Sequence, residues 1–198
     1  RYPAMYTALG IHPTDGQLLD DPDAALSEVE NMILDPENKC VALGEIGLDY
    51  HYPDTDKEKQ AYLFDRQMEL AARLDLPVVI HDREAHGDVM ETILRHKKTR
   101  GVLHSFSGSP EMAEELVRLG YFISFSGTLT FQNARRTVES AAKVPPEKIL
   151  IETDCPYLAP HPLRGTLNHS GNLAYTAARL AGILGTSPET AARLTEEN

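Results

Sequence analysis

No stretch of this chain approaches the roughly 20 consecutive apolar residues of a membrane span, so a membrane protein is not expected. The opening RYPAMYTALG lacks the basic-then-apolar layout of a secretory signal. Cysteine is scarce: Cys40 and Cys155 stand far apart and form no Cys-x-x-Cys spacing. That argues against a disulfide framework and for a reducing compartment, the cytoplasm. Positive charge is also in short supply. There are 19 Lys and Arg against 30 Asp and Glu, a net charge of -11, and so acidic a chain has little nonspecific attraction for a polyanion. A nucleic-acid role therefore needs positive charge supplied locally, and bound cations are one source. Gly-x-Ser-x-Gly, the Gly-x-x-x-x-Gly-Lys-Ser/Thr phosphate loop and Gly-x-Gly-x-x-Gly are all missing, which removes the usual signatures of serine hydrolases, nucleoside triphosphatases and dinucleotide enzymes. No linker, repeat or low-complexity segment interrupts the sequence, so one domain over 1–198 is expected.

What is present is ordinary globular material, 41% hydrophobic and 25% charged. Short apolar runs alternate with helical stripes. Strands are expected at 5–10, 40–45, 76–81, 101–104, 121–127 and 148–153. Helices are expected at 23–34, 57–74, 85–96, 110–119, 134–143, 172–184 and from 188 onward. Leu26, Val29 and Ile33 share one face of the first helix; Ala61, Phe64, Met68 and Ala71 form the stripe of the second. The punctuation of the fourth is explicit: Ser109 as N-cap, Pro110 at the first helical position, Glu111 in the first turn and Gly120 past the end. Strands that are continuously apolar and separated by helices imply a parallel sheet covered by helices, an α/β protein.

Four of these strands break off in polar residues. VALGE ends in Glu45, VVIH in His81, GVLH in His104 and ILIETD in Asp154. Functional groups donated by many strand ends are the mark of a (β/α)8 barrel of the TIM type, in which those ends share one mouth. Such a barrel takes about 250 residues and eight strands, so six strands imply one truncated to about six βα units. Two imidazoles and two carboxylates form a ligand set suited to Zn, Mn or Mg. Carboxylates in a protein mouth are costly unless paired or metal-bound, which favours cations there over four unrelated structural residues. Glu45 is the candidate to bridge two ions, and Asp154 to hold one and act as general base on the activated water. His12, after the first strand, either touches the substrate or donates a proton, or it steadies the turn before Pro13; both remain open. Arg83 and Arg164 are candidates for phosphate contacts, with solvated loop arginines as the alternative. Asp49 reads as a structural residue closing the turn after its strand. Tyr157 reads first as a packing residue under the site, second as a platform for a base.

The motifs GIHP at 10–13, GEIGLDY at 44–50, LPVVIHDREAH at 76–86, GVLHSFSGS at 101–109, GYFISFSG at 120–127 and ILIETDCPYLAPHPLRG at 149–165 follow one another along nearly the whole chain. In that order they resemble the TatD family of metal-dependent deoxyribonucleases, a branch of the amidohydrolase-like barrels. The resemblance implies a (β/α)8 barrel in which two divalent ions hydrolyse DNA phosphodiesters, in some members as 3′ to 5′ exonucleases. It also implies Glu45 as bridging ligand, His81 and His104 as ligands of the second ion, Asp154 as ligand of the first and base, and His12 as an active-site histidine near the substrate. Two departures stand out: the family's opening His-x-His strand is missing, and Asn168, His169 and Ser170 stand in place of Asn-Glu-Pro. The chain is accordingly expected to be incomplete at its N-terminus and clipped at Asn198. The expected function is metal-dependent DNA hydrolysis by a monomer. The alternatives are an amide or carboxylic ester hydrolase using the same water, and an inactive barrel fragment.

Overall fold

The structure, a computed structural model, describes residues 4–198. The chain divides into two compact units, one ending at Val102 and one beginning at Leu103. The first contains β1 (Thr7–Leu9), α1 (Pro13–Gly16), α2 (Pro22–Leu34), β2 (Cys40–Asp49), α3 (Lys57–Leu74), β3 (Val78–Arg83) and α4 (His86–Arg95). β4 (Gly101–Leu103) runs across the boundary in sequence. The second contains α5 (Pro110–Arg118), β5 (Phe122–Phe125), α6 (Arg135–Lys143), β6 (Ile149–Ile151), α7 (Leu173–Leu184) and α8 (Pro188–Glu197). The six expected strands are the six found among the described residues. Among those residues no helix is long and apolar enough to cross a membrane.

In the first unit β1 pairs parallel with β2, Leu9 opposite Leu43, and β2 pairs parallel with β3, Leu43 opposite Val78 and Gly47 opposite His81. In the second, β5 and β6 are parallel, with Ile123 opposite Ile149. Leu43, Ile46, Leu48, Val78 and Ile80 are fully buried, as are Phe64 and Met68 of α3. These strands are apolar on both sides because sheet residues pointing either way meet other apolar groups, the pattern of a covered parallel sheet.

Helix ends follow local chemistry. The Ser109 hydroxyl accepts from the Met112 N–H, Pro110 opens α5, and Gly120 just beyond it has φ of 96°, a backbone that costs glycine nothing. Asp21, Asp56 and Ser187 cap α2, α3 and α8 in the same manner.

Two strand boundaries differ from expectation. β2 does not end at Glu45; it continues to Asp49, and His81 lies within β3 instead of after it. Main-chain pairing persists because Ile46 and Leu48 keep the strand apolar beyond Glu45. The register slips between Gly44 and Ile46, so Glu45 is the extra residue of a bulge. A bulge re-aims one side chain without ending the strand, which is how a carboxylate sits in the middle of an apolar run.

α3 carries more than its apolar stripe. Gln60 and Gln67 are buried on the same helix. Gln67 accepts from the Ile11 N–H at 2.6 Å and donates to the Ile11 carbonyl at 3.1 Å. Gln60 accepts from the Asp49 N–H at 2.9 Å. Each amide satisfies main-chain groups near the end of a strand, so α3 fixes the backbone just beyond β1 and at the last residue of β2.

Candidate metal centre

His12 sits one residue beyond Ile11 and caps α1: its Nδ1 accepts from the Thr14 N–H at 3.3 Å and lies 2.7 Å from the Thr14 hydroxyl. The turn-steadying role foreseen for it is therefore present. Its ring also meets the His81 ring edge to face, with centroids 4.7 Å apart. One ligand atom each from His12, Glu45 and His81 lies within 4.8 Å of the others. The Glu45 side chain is 33% exposed and that of His81 17%, while the Glu45 Oε1 itself is buried and stands 3.9 Å from His81 Nδ1. A carboxylate and two imidazoles, all partly exposed, match the three-ligand pattern of catalytic zinc-type sites. The donor set fits a divalent cation.

Behind His81 stands Asp49, only 2% exposed. Its Oδ2 lies 3.0 Å from His81 Nε2 and its Oδ1 accepts from the His51 N–H at 3.0 Å. The carboxylate draws the imidazole proton to Nε2, which leaves the Nδ1 lone pair facing Glu45. The turn-closing role foreseen for Asp49 holds, but the sequence reading missed that the same carboxylate orients a candidate ligand. Metal-binding imidazoles usually pass their second nitrogen to a carboxylate or carbonyl, so an acid four residues from Glu45 was the available signal. In Asp49→Asn, an amide oxygen that keeps the His51 bond turns its NH2 on Nε2 and forces the imidazole proton to Nδ1. Metal affinity should then fall about 10- to 100-fold, as read by calorimetric titration.

Arg83 stands beside this group, with one guanidinium nitrogen 3.9 Å from Asp49 Oδ2 and the guanidinium 5.6 Å from the Tyr52 ring centroid. Close by, the Tyr50 hydroxyl donates to Asp88 at 2.7 Å. Burial, reinforced by that carboxylate, pushes the phenol well above its ordinary pKa, so it stays a donor at any working pH.

The second unit has a similar imidazole–carboxylate pair. His104 Nδ1 lies 3.0 Å from Glu152 Oε1, and the Ser124 hydroxyl donates to Glu152 Oε2 at 2.5 Å. The His104 side chain is 11% exposed. Glu152 fixes the ring through Nδ1, which makes Nε2 the candidate ligand nitrogen; the sequence reading gave Glu152 no role. Asp154 follows β6 with φ of 56°, a left-handed backbone that is uncommon outside glycine and concentrates at functional sites. Arg164 is exposed, its guanidinium 4.1 Å from the Phe131 ring centroid.

Tyr157 requires a correction. It is not a packing residue: it is 72% exposed. The space under its loop is taken by Asn168, whose buried amide donates at 2.7 Å to the carbonyls of Thr153 and Tyr157. Those two bonds order the loop main chain without help from the aromatic ring.

The family profile described as TatD related DNase matches residues 1–198. YabD of Bacillus subtilis strain 168, described as an uncharacterized metal-dependent hydrolase, is 38% identical over 200 residues, which cover 100% of this chain and 76% of YabD. YjjV of Escherichia coli K12, described in the same words, is 40% identical over 184 residues, covering 92% of this chain and 69% of YjjV. The crystal structure of YjjV superposes with a TM-score of 0.91 at 36% identity and covers 99% of this chain and 75% of its own. With a profile match along its whole length and relatives of this similarity, the chain belongs to the TatD family of metal-dependent hydrolases, α/β proteins of the TIM-barrel type.

Proposed function

We propose that the chain hydrolyses DNA phosphodiester bonds with the help of two divalent cations. The observation that carries this proposal is the His12, Glu45 and His81 group, whose ligand atoms lie within 4.8 Å of one another. The description of the matching family as TatD related DNase supports the choice of substrate. A pair of divalent cations, when bound, supplies water of lowered pKa and neutralises charge on the entering and leaving oxygens of a phosphoester.

The chain's own groups do the rest. Glu45, which offers two carboxylate oxygens, would be the ligand shared by the cations, and His12 and His81 would offer one nitrogen each. Asp49 holds the His81 ring in one tautomer and one orientation. In the second unit, His104, fixed by Glu152, and Asp154 would offer ligand atoms to a cation, and Asp154 would take a proton from water at a carboxylate oxygen, a role worth about 100- to 10,000-fold in rate. Arg83, with its guanidinium close to the Tyr52 ring, presents N–H groups to a phosphate. The exposed Tyr157 ring gives a base a face to stack on.

The test is a substrate panel run with Mn, Mg or Zn, and with chelator as control. Cation-dependent cleavage of DNA that stops on chelation is expected, with amides and carboxylic esters untouched. Cleavage of an amide or ester alone would replace this assignment, and no cleavage of any substrate by cation-loaded protein would overturn it.

A further inference from the structure

A second polar site lies in the 103–198 unit. A cavity of about 350 Å³ is lined by Gln132, Asn133, His161 and Arg164. Ligand sites run from about 300 to 1,000 Å³, so the space is sufficient for a small ligand. The lining includes no carboxylate. All four lining side chains carry N–H groups: two amides, an imidazole and a guanidinium.

The arrangement is held in place. The Arg164 guanidinium lies 4.1 Å from the Phe131 ring centroid, and stacking of this kind fixes the plane of the fork while leaving its N–H edges available. The His161 N–H donates to the Thr130 hydroxyl at 2.8 Å, and that hydroxyl donates to the Gly127 carbonyl at 2.6 Å. The two stretches that line the cavity are thus tied together by one hydrogen bond and one stacked pair. No carboxylate pairs with Arg164 among the described residues, a state it shares with Arg118, Arg136 and Arg179, whereas Arg66, Arg73, Arg95, Arg100, Arg135 and Arg193 each have one.

We propose that the Gln132–Asn133–His161–Arg164 cavity binds a phosphate group. Four side chains that can donate, one of them cationic, with no carboxylate among them, suit an oxyanion with several acceptor oxygens. A guanidinium fork is the natural bidentate partner for that ion. This deepens the phosphodiester assignment, on which it rests for the identity of the anion, and it gives Arg164 its function through this cavity. The phosphate arrives either as the free ion or on a nucleotide.

The two sources are separated by titrating the full chain, in chelator, with inorganic phosphate and with thymidine monophosphate, by calorimetry and by NMR of the His161 and Asn133 side chains. Saturable binding of both is expected, with resonance shifts at those two residues and tighter binding of the nucleotide; equal affinities would assign the site to the free ion. Arg164→Ala should weaken binding at least tenfold with an unchanged melt, and Arg164→Lys, which keeps the charge but not the fork, should recover only part of it. Asn133→Asp places a carboxylate in the lining and should also weaken binding. Glu45→Ala should leave phosphate binding unchanged even where it ends hydrolysis, so the two proposals fail separately. Absence of saturable binding to the wild-type chain, or wild-type affinity in both Arg164→Ala and Asn133→Asp, would overturn the site.

Discussion

Replacing Glu45 by alanine is expected to reduce metal-dependent turnover by more than about 100-fold, because even the groups standing behind a ligand typically account for about 10- to 100-fold. Glu45 is the only carboxylate in the His12, Glu45 and His81 group. Without it two imidazoles remain, which carry no negative charge to balance the cation's and cannot bridge a pair of ions. Glu45→Gln is the sharper variant, since it keeps the volume and one oxygen but removes the charge. Its metal-free form should melt at or above the wild-type temperature, because a carboxylate whose Oε1 is buried is costly to keep ionised in the absence of a cation. Turnover on DNA and calorimetric titration with Mn or Zn read the two halves. A Glu45→Gln chain that bound metal and cleaved DNA within a few-fold of wild type would remove Glu45 from the centre.

Gly47→Ala should be the most destabilising single methyl on β2. Gly47 has φ of 136°, and a Cβ built on it would lie 2.0 Å from the His81 carbonyl oxygen. Holding a non-glycine residue in such a backbone costs about 1–3 kcal/mol, and the overlap with β3 adds to that. A loss of about 3 kcal/mol or more is expected, which for a chain of this size corresponds to a melting temperature lower by roughly 6–12 °C. The effect should not stop at stability. The methyl pushes on the very residue whose imidazole stands 3.9 Å from Glu45, so cation affinity should fall together with the melt. Chemical denaturation and metal titration on the same sample would test the link; a destabilised variant with wild-type affinity would show that strand spacing and ligand spacing are independent.

Much of the fold is legible from residue types. Ser109–Pro110–Glu111 marked the start of α5 because a cap, a preset φ and a first-turn acid are local devices with local signatures. The apolar stripe marked α3 over 57–74, the range the helix occupies. The course of β2 was not legible. A charge in an apolar run looks like an ending, and the bulge that accommodates Glu45 depends on the neighbouring strand, which no window of the sequence contains. The candidate ligands Glu45 and His81 were visible as polar residues in strands, but the position of His12 beside them depends on the hydrogen bonds of Gln67. Asp49 and Glu152 were missed for a similar reason: their importance lies in which histidine nitrogen they face, a property of three-dimensional packing. Tyr157 was misjudged because a large ring beside Pro156 resembles core material until Asn168 is seen filling the space.

The two buried glutamines of α3 set a relation between distant parts of the chain. Residues 60 and 67 are seven apart, two turns of one rigid rod, and one holds the backbone of Asp49 while the other holds that leading to His12. The helix therefore works as a calliper with both jaws cut from a single bar: neither jaw can be reset without shifting the other. A substitution that merely rotates α3, however far it lies from any ligand, would tilt the His12 capping turn and the support of His81 in concert, and the aperture between them would change as one dimension.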